Sequence, residues 1–146
     1  MANQGKFTPK NPKKYKGDPT KIVFRSSYEL TFMNRCDSDP NIIEWQSEEF
    51  CIPYRSPVDN RIHRYFPDFK MTVRTPDNKL ATYVIEVKPF KQTQEPEKKS
   101  RQTRQYLNEV MTYATNLAKW SAADIYCQKN NYEFKIITEK ELNIKY

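Results

Sequence analysis

Two stretches decide how this chain folds: Arg64-Tyr65-Phe66-Pro67-Asp68-Phe69 and Val84-Ile85-Glu86-Val87-Lys88. Successive side chains of a strand point to opposite faces. In the second stretch, Ile85 and Val87 therefore share one face, and Glu86 and Lys88 share the other. In the first and its continuation, Phe69, Met71 and Val73 oppose Asp68, Lys70 and Thr72. If the two strands pair, Asp68, Glu86 and Lys88 meet at one spot.

The neighbouring sequence supports that pairing. Pro67 pushes Phe66 into extended geometry, so residues 61–73 read as one long strand bent near Pro67. Thr75-Pro76-Asp77-Asn78 is a turn, and residues 81–88 form the next strand. Upstream, Phe50-Cys51-Ile52-Pro53-Tyr54 reads as a strand with Pro53 at an edge, closed by the turn Ser56-Pro57-Val58-Asp59-Asn60. These three strands make an antiparallel meander.

Before them, residues 22–24 are a short strand or turn, and Ser26 caps a first helix that Asp37-Ser38-Asp39-Pro40 ends. Ile42-Ile43-Glu44-Trp45 is an extended apolar run. After Pro89 a polar loop leads to a helix over residues 97–117, with Tyr106, Val110, Tyr113 and Leu117 at helical spacing. A second helix follows over 119–129, then a strand over 133–137. Thr138 and Glu141 fit a capping box for a last short helix. The order predicts an α/β fold whose mixed central sheet holds a three-strand antiparallel meander plus a further strand that joins after a helical crossover.

Composition narrows the function classes. With 146 residues the chain is of single-domain size. Two glycines in all leave no material for Gly-rich phosphate loops. Cys36, Cys51, Cys127 and a single His63 cannot build a zinc site or a disulfide framework, and point to reduced thiols in a cytosol-like compartment. No run is apolar enough to span a membrane, and the N-terminus lacks the apolar core of a secretory signal. Of the formal net charge of +7, residues 1–21 hold +5, with six lysines against Asp18 alone. Residues 1–20, broken by Pro9, Pro12 and Pro19, read as a basic extended arm, and residues 21–146 as the domain proper. Phe7 and Tyr15 are candidates to pin the arm to a surface. Such an arm, with Lys13 and Lys14 at its centre, has either of two uses: binding a nucleic-acid backbone or keeping the chain soluble.

Two carboxylates brought close repel, and a hard divalent cation resolves the repulsion. Magnesium prefers oxygen ligands and keeps waters, one of which can attack a phosphodiester. Lys88 is placed to orient that water or to offset charge growing on the phosphate. The competing reading is an ordinary sheet whose polar face is wet.

Pro67-Asp68, a hairpin, and then Glu86-Val87-Lys88 resemble the PD-(D/E)xK nuclease superfamily, whose restriction-endonuclease-like core matches the element order above. That resemblance implies metal ligation by Asp68, Glu86 and the Val87 backbone carbonyl, and catalysis by Lys88. It also implies a Glu from the first helix, for which Glu29 is placed, and a Gln-x-x-x-Tyr on the following helix, matched by Gln102-Thr103-Arg104-Gln105-Tyr106. The implied cofactor is Mg2+, for which Mn2+ can substitute.

Arg25-Ser26-Ser27-Tyr28-Glu29, residues 48–54, Ser56-Pro57-Val58-Asp59, His63-Arg64-Tyr65-Phe66-Pro67-Asp68-Phe69 and Ile136-Ile137-Thr138-Glu139 resemble the head-completion nucleases of large tailed bacteriophages. They resemble more loosely the A-subunit endonuclease of cut-and-paste transposons. The implied partners are double-stranded DNA and phage head or portal proteins, and the implied location is the virion or the host cytoplasm. Oligomeric state is not legible.

Several residues keep two readings. Glu29 is either a metal-site residue or the capping-box partner of Ser26. Gln102 is auxiliary to the site or a surface glutamine. His63 is a general acid or phosphate contact, or plain strand packing. Arg25, Arg64, Lys91 and Arg101 are candidate DNA contacts. For the whole chain, the alternative to a nuclease is a virion structural protein that binds DNA ends or the portal and keeps the fold as a scaffold. A third reading is a transposition or repair endonuclease outside the virion.

Overall fold

The computed structural model describes residues 4–143. Its centre is a four-stranded sheet in the order β3 (Ile42–Ser47), β6 (Phe69–Arg74), β7 (Leu80–Val87), β8 (Glu133–Ile137). The first three strands run antiparallel to their neighbours, and β8 lies parallel to β7. A parallel partner needs a crossover, and α2 (Arg104–Lys129) supplies it. Phe69 pairs with Ile85, and Val87 with Ile137, so the register carries Glu86 and Lys88 to the end of the sheet where Asp68 enters.

One face of the sheet is covered by α1 (Ser27–Ser38), α3 (Glu139–Leu142) and the N-terminal segment. Phe32, Met33 and Cys36 of α1 pack with Trp45, Phe69, Ile85, Val87 and Leu142. The other face is covered by α2 and a separate two-stranded sheet of β4 (Ile52–Arg55) and β5 (Ile62–Tyr65), where Ile52, Tyr54 and Tyr65 meet Trp120 and Ala123. The result is a three-layer α/β arrangement with a mixed sheet, as the element order predicts.

The membership of the meander differs from the expectation. Residues 61–73 are not one strand: β5 pairs with β4, while β6 pairs with β3 and β7. Pro67, buried and without an N–H, cannot serve a ladder. The chain leaves one sheet at Tyr65 and enters another at Phe69. The place expected for residues 50–54 beside β6 is taken by β3, whose Ile42 and Trp45 are buried.

The two expected helices over 97–117 and 119–129 are one. Residues 104–129 contain neither Gly nor Pro and include Ala114, Ala118, Ala122 and Ala123, so nothing breaks the helix at Lys119. Its start falls at Thr103, whose hydroxyl accepts the Tyr106 N–H at 3.1 Å, rather than near Glu97. The last cap is as expected: Thr138 and Glu141 form both halves of a capping box.

The described part of the N-terminal segment is fastened along the domain. Gly5–Lys6 (β1) pairs with Val23–Phe24 (β2). Phe7 and Tyr15 are buried against Trp45, with ring centroids 5.9 and 4.8 Å away. The Lys10 and Asn11 N–H groups donate to the Asp37 carboxylate at 2.8 and 2.9 Å. The lysines thus sit on a strap whose aromatic residues belong to the core.

Candidate active site

Asp68 stands where the chain enters β6, and Oδ2 accepts the Val87 N–H at 2.8 Å. This bond ties the carboxylate to the end of β7. Glu86, only 6% exposed, faces the opposite layer and accepts a hydrogen bond from the Tyr65 hydroxyl. The Lys88 ammonium lies 3.8 Å from Glu86 Oε2, while its backbone N–H donates to the Ile137 carbonyl at 2.9 Å and extends the β7–β8 register by one residue.

From the other layer, α1 brings Glu29 in its first turn. Ser26 Oγ accepts the Glu29 N–H at 3.1 Å and so caps the helix. The reciprocal carboxylate bond to the Ser26 N–H, which would complete a capping box, is not formed. The carboxylate accepts the Ser26 hydroxyl at 3.5 Å and approaches Asp68 and Glu48: one oxygen from each of the three lies within 4.8 Å of the others. Glu48 follows β3 with φ 53°, a left-handed conformation uncommon for a residue with a side chain. Its N–H donates to the Asp68 carbonyl at 3.1 Å, and its carboxylate pairs with the Arg25 guanidinium.

Burial, followed by the neighbouring Glu86 charge, pushes the Asp68 carboxyl well above the ordinary aspartate range, and the Val87 N–H offsets only part of that. Burial raises Glu29 too, and Glu48 adds to the effect while Arg25 and Ser26 oppose it. Burial and Glu86 hold the Tyr65 phenol protonated as a donor. Carboxylates forced together at such electrostatic cost form an all-oxygen donor set, which suits a hard divalent cation.

Other expected site residues are engaged as follows. His63 Nε2 lies 2.8 Å from Asp59 Oδ2, and its ring packs near Tyr54. Gln102 precedes α2 rather than lying on it, and its side-chain amide donates to the Lys99 carbonyl at 3.3 Å. Lys14 donates to the Asp37 and Asp39 carbonyls at the C-terminal end of α1. Arg64 lies over the Phe66 ring, 5.8 Å from its centroid. Lys13, Lys91 and Arg101 are exposed. Glu48 and Tyr65 are the functional candidates that sequence reasoning did not single out. The signal for Glu48 is the β3–β6 register: Ser47 pairs with Phe69, so the next residue lies across from Asp68.

A cluster of carboxylates at the end of two paired strands suits a metal-using endonuclease, and residues 39–139 match the model of the TnsA-like endonuclease N-terminal domain. The chain belongs to that family. It is also 40% identical over 146 aligned residues to the head completion nuclease of Enterobacteria phage T4, an alignment covering 97% of this chain and 95% of the relative.

Proposed function

We propose that this chain is a phage head-completion nuclease: a DNA endonuclease that uses magnesium, or manganese in its place, to hydrolyse phosphodiester bonds of packaged or terminal DNA during head maturation. The observation that carries the reading is the convergence of Asp68, Glu86 and Lys88 at one end of the β6–β7 pair, with Glu29 and Glu48 alongside. The similarity to the T4 head completion nuclease supports the setting, in the virion or host cytoplasm. Among the described residues no helix is long and apolar enough to cross a membrane.

Asp68 and Glu86 would hold the ion, with Glu29 and Glu48 completing an oxygen shell. The Val87 carbonyl suits the same role, because N–H and C=O of one residue leave an antiparallel strand on the same side and its N–H already meets Asp68. When bound, the ion supplies a Lewis acid that polarises a phosphate oxygen and makes a water more acidic. Lys88, partly open to solvent, orients the attacking water and offsets charge growing on the phosphate. The water oxygen bonds to phosphorus, the bond to the leaving sugar oxygen breaks, and that oxygen takes up a proton. Tyr65 keeps Glu86 in place. Arg25, Arg64, Lys91, Arg101 and Lys13 supply positive charge for the DNA backbone, with affinity that falls steeply as salt rises.

The test is plasmid cleavage by wild type, Asp68→Ala and Glu86→Ala, each with magnesium and with chelator. Cleavage by wild type alone, and only with metal, is expected; equal behaviour of all three overturns the assignment. Magnesium calorimetry separates the scaffold alternative, since no binding at this site would favour it.

A further inference from the structure

Among the described residues, Phe66 and Phe90 are the only aromatic side chains that are exposed, at 47% and 38%. Every other described Phe, Tyr and Trp is buried or half-buried. A lone exposed Phe needs no explanation, but the position of these two does. Phe66 lies two residues before Asp68, and Phe90 two residues after Lys88. Because β6 starts at Phe69 and β7 ends at Val87, both leave the same end of one antiparallel pair, on the two chain segments that carry the acidic residues.

Their backbones are held while their rings stay outside. Phe66 lies between buried Tyr65 and buried Pro67. The Phe90 N–H donates to the Glu139 carboxylate at 2.7 and 3.2 Å. Each ring also carries a cation: Arg64 lies 5.8 Å from the Phe66 centroid, and Lys140 3.4 Å from the Phe90 centroid. An aromatic face beside a positive charge is what a nucleotide needs, a surface for the base and a partner for its phosphate. Bases inside a continuous duplex are already stacked on each other, whereas an unpaired base offers a free face.

We infer that Phe66 and Phe90 stack unpaired bases on either side of the scissile phosphate, so that the site selects DNA with a single-stranded segment over continuous duplex. The inference rests on the nuclease reading of the site and adds its substrate class. Arg64 and Lys140 hold the rings and meet the flanking phosphates.

Binding is measured in chelator by fluorescence anisotropy, with a blunt labelled duplex and with the same duplex bearing a single-stranded extension. Wild type should bind the extended DNA about tenfold more tightly. Phe66→Ala and Phe90→Ala should each remove most of that preference, at least the about fivefold that loss of one stacking surface implies, and leave the blunt duplex unaffected. Phe66→Tyr should retain the preference. Equal affinity of wild type for the two DNAs, or alanine variants that weaken both alike, overturns the inference. Since no cleavage occurs in chelator, this readout fails independently of the plasmid assay: cleavage without a binding preference sinks the stacking role alone.

Discussion

Tyr65 donates its hydroxyl to the buried carboxylate of Glu86, across the boundary between two sheets. The small hairpin of β4 and β5 thereby reaches into the site built on β7, and Lys119 of α2 lies 5.8 Å from the Tyr65 ring on the same side. Tyr65→Phe keeps the packing and leaves one oxygen of a buried carboxylate without its donor. An unsatisfied buried group costs about 1–3 kcal/mol, so chemical denaturation of the metal-free protein should register a loss of that size. Cleavage should fall while DNA affinity holds, because the loss concerns the orientation of Glu86.

The raised Asp68 carboxyl makes stability depend on pH in a definite direction. Its folded pKa lies above the unfolded value of about 3.9. The folded state then binds the extra proton, and stability falls as pH rises from the unfolded to the folded pKa. Glu29 acts in the same direction. In chelator, urea midpoints should drop as pH increases through that window, and saturating magnesium should reduce the drop. Asp68→Asn retains an acceptor for the Val87 N–H and carries no charge, so it should flatten the slope and stabilise the metal-free protein near neutrality. A stability that instead rises with pH would contradict this electrostatic account.

Capping and metal binding are separable at the start of α1. Ser26→Ala removes the hydroxyl that accepts the Glu29 N–H at 3.1 Å and donates only a long bond, 3.5 Å, to its carboxylate; it should cost about 0.5–2 kcal/mol of stability, with most cleavage kept because the carboxylate itself remains. Glu29→Gln and Glu48→Gln should do the opposite. Each removes an anionic oxygen donor from the cluster, and calorimetry should show manganese affinity lowered by about tenfold or more, the scale on which even outer partners of metal sites act. Comparable affinity in wild type and Glu48→Gln would place Glu48 outside the ligand set and leave it as the partner of Arg25.

Phe7 gives a test of the N-terminal strap. Its ring is buried against Trp45, and truncating a buried Phe costs about 3–5 kcal/mol. Phe7→Ala should therefore lower the melting temperature by many degrees, whereas Lys13→Ala, at an exposed position, should leave it near wild type and weaken DNA binding in low salt.

What was legible in the sequence followed from local rules. The alternation around Glu86 and Lys88 and the capping box at Thr138 each depend on residues a few positions apart, and both stand. The long strand over 61–73 failed because nothing near Pro67 says which sheet the chain joins on either side; that choice belongs to β3 and β4, remote in sequence. Glu48 stayed hidden for the same reason, since it comes near Asp68 only through the β3–β6 register. The double reading of Glu29 had a local half, the cap, and a tertiary half, the approach to Glu48 and Asp68, and only the fold brings the second into view.

The bond from the Lys88 N–H to the Ile137 carbonyl also bears on biosynthesis. Glu29, Glu48, Asp68, Glu86 and Lys88 all leave the ribosome before β8, the strand that fixes where β7 ends. A nascent or prematurely terminated chain would carry every acidic group and the lysine, yet lack the partner that seats Lys88 beside Glu86. On the proposed nuclease reading, the order of synthesis therefore delays assembly of the site until β8 has been made, after every side chain that builds it.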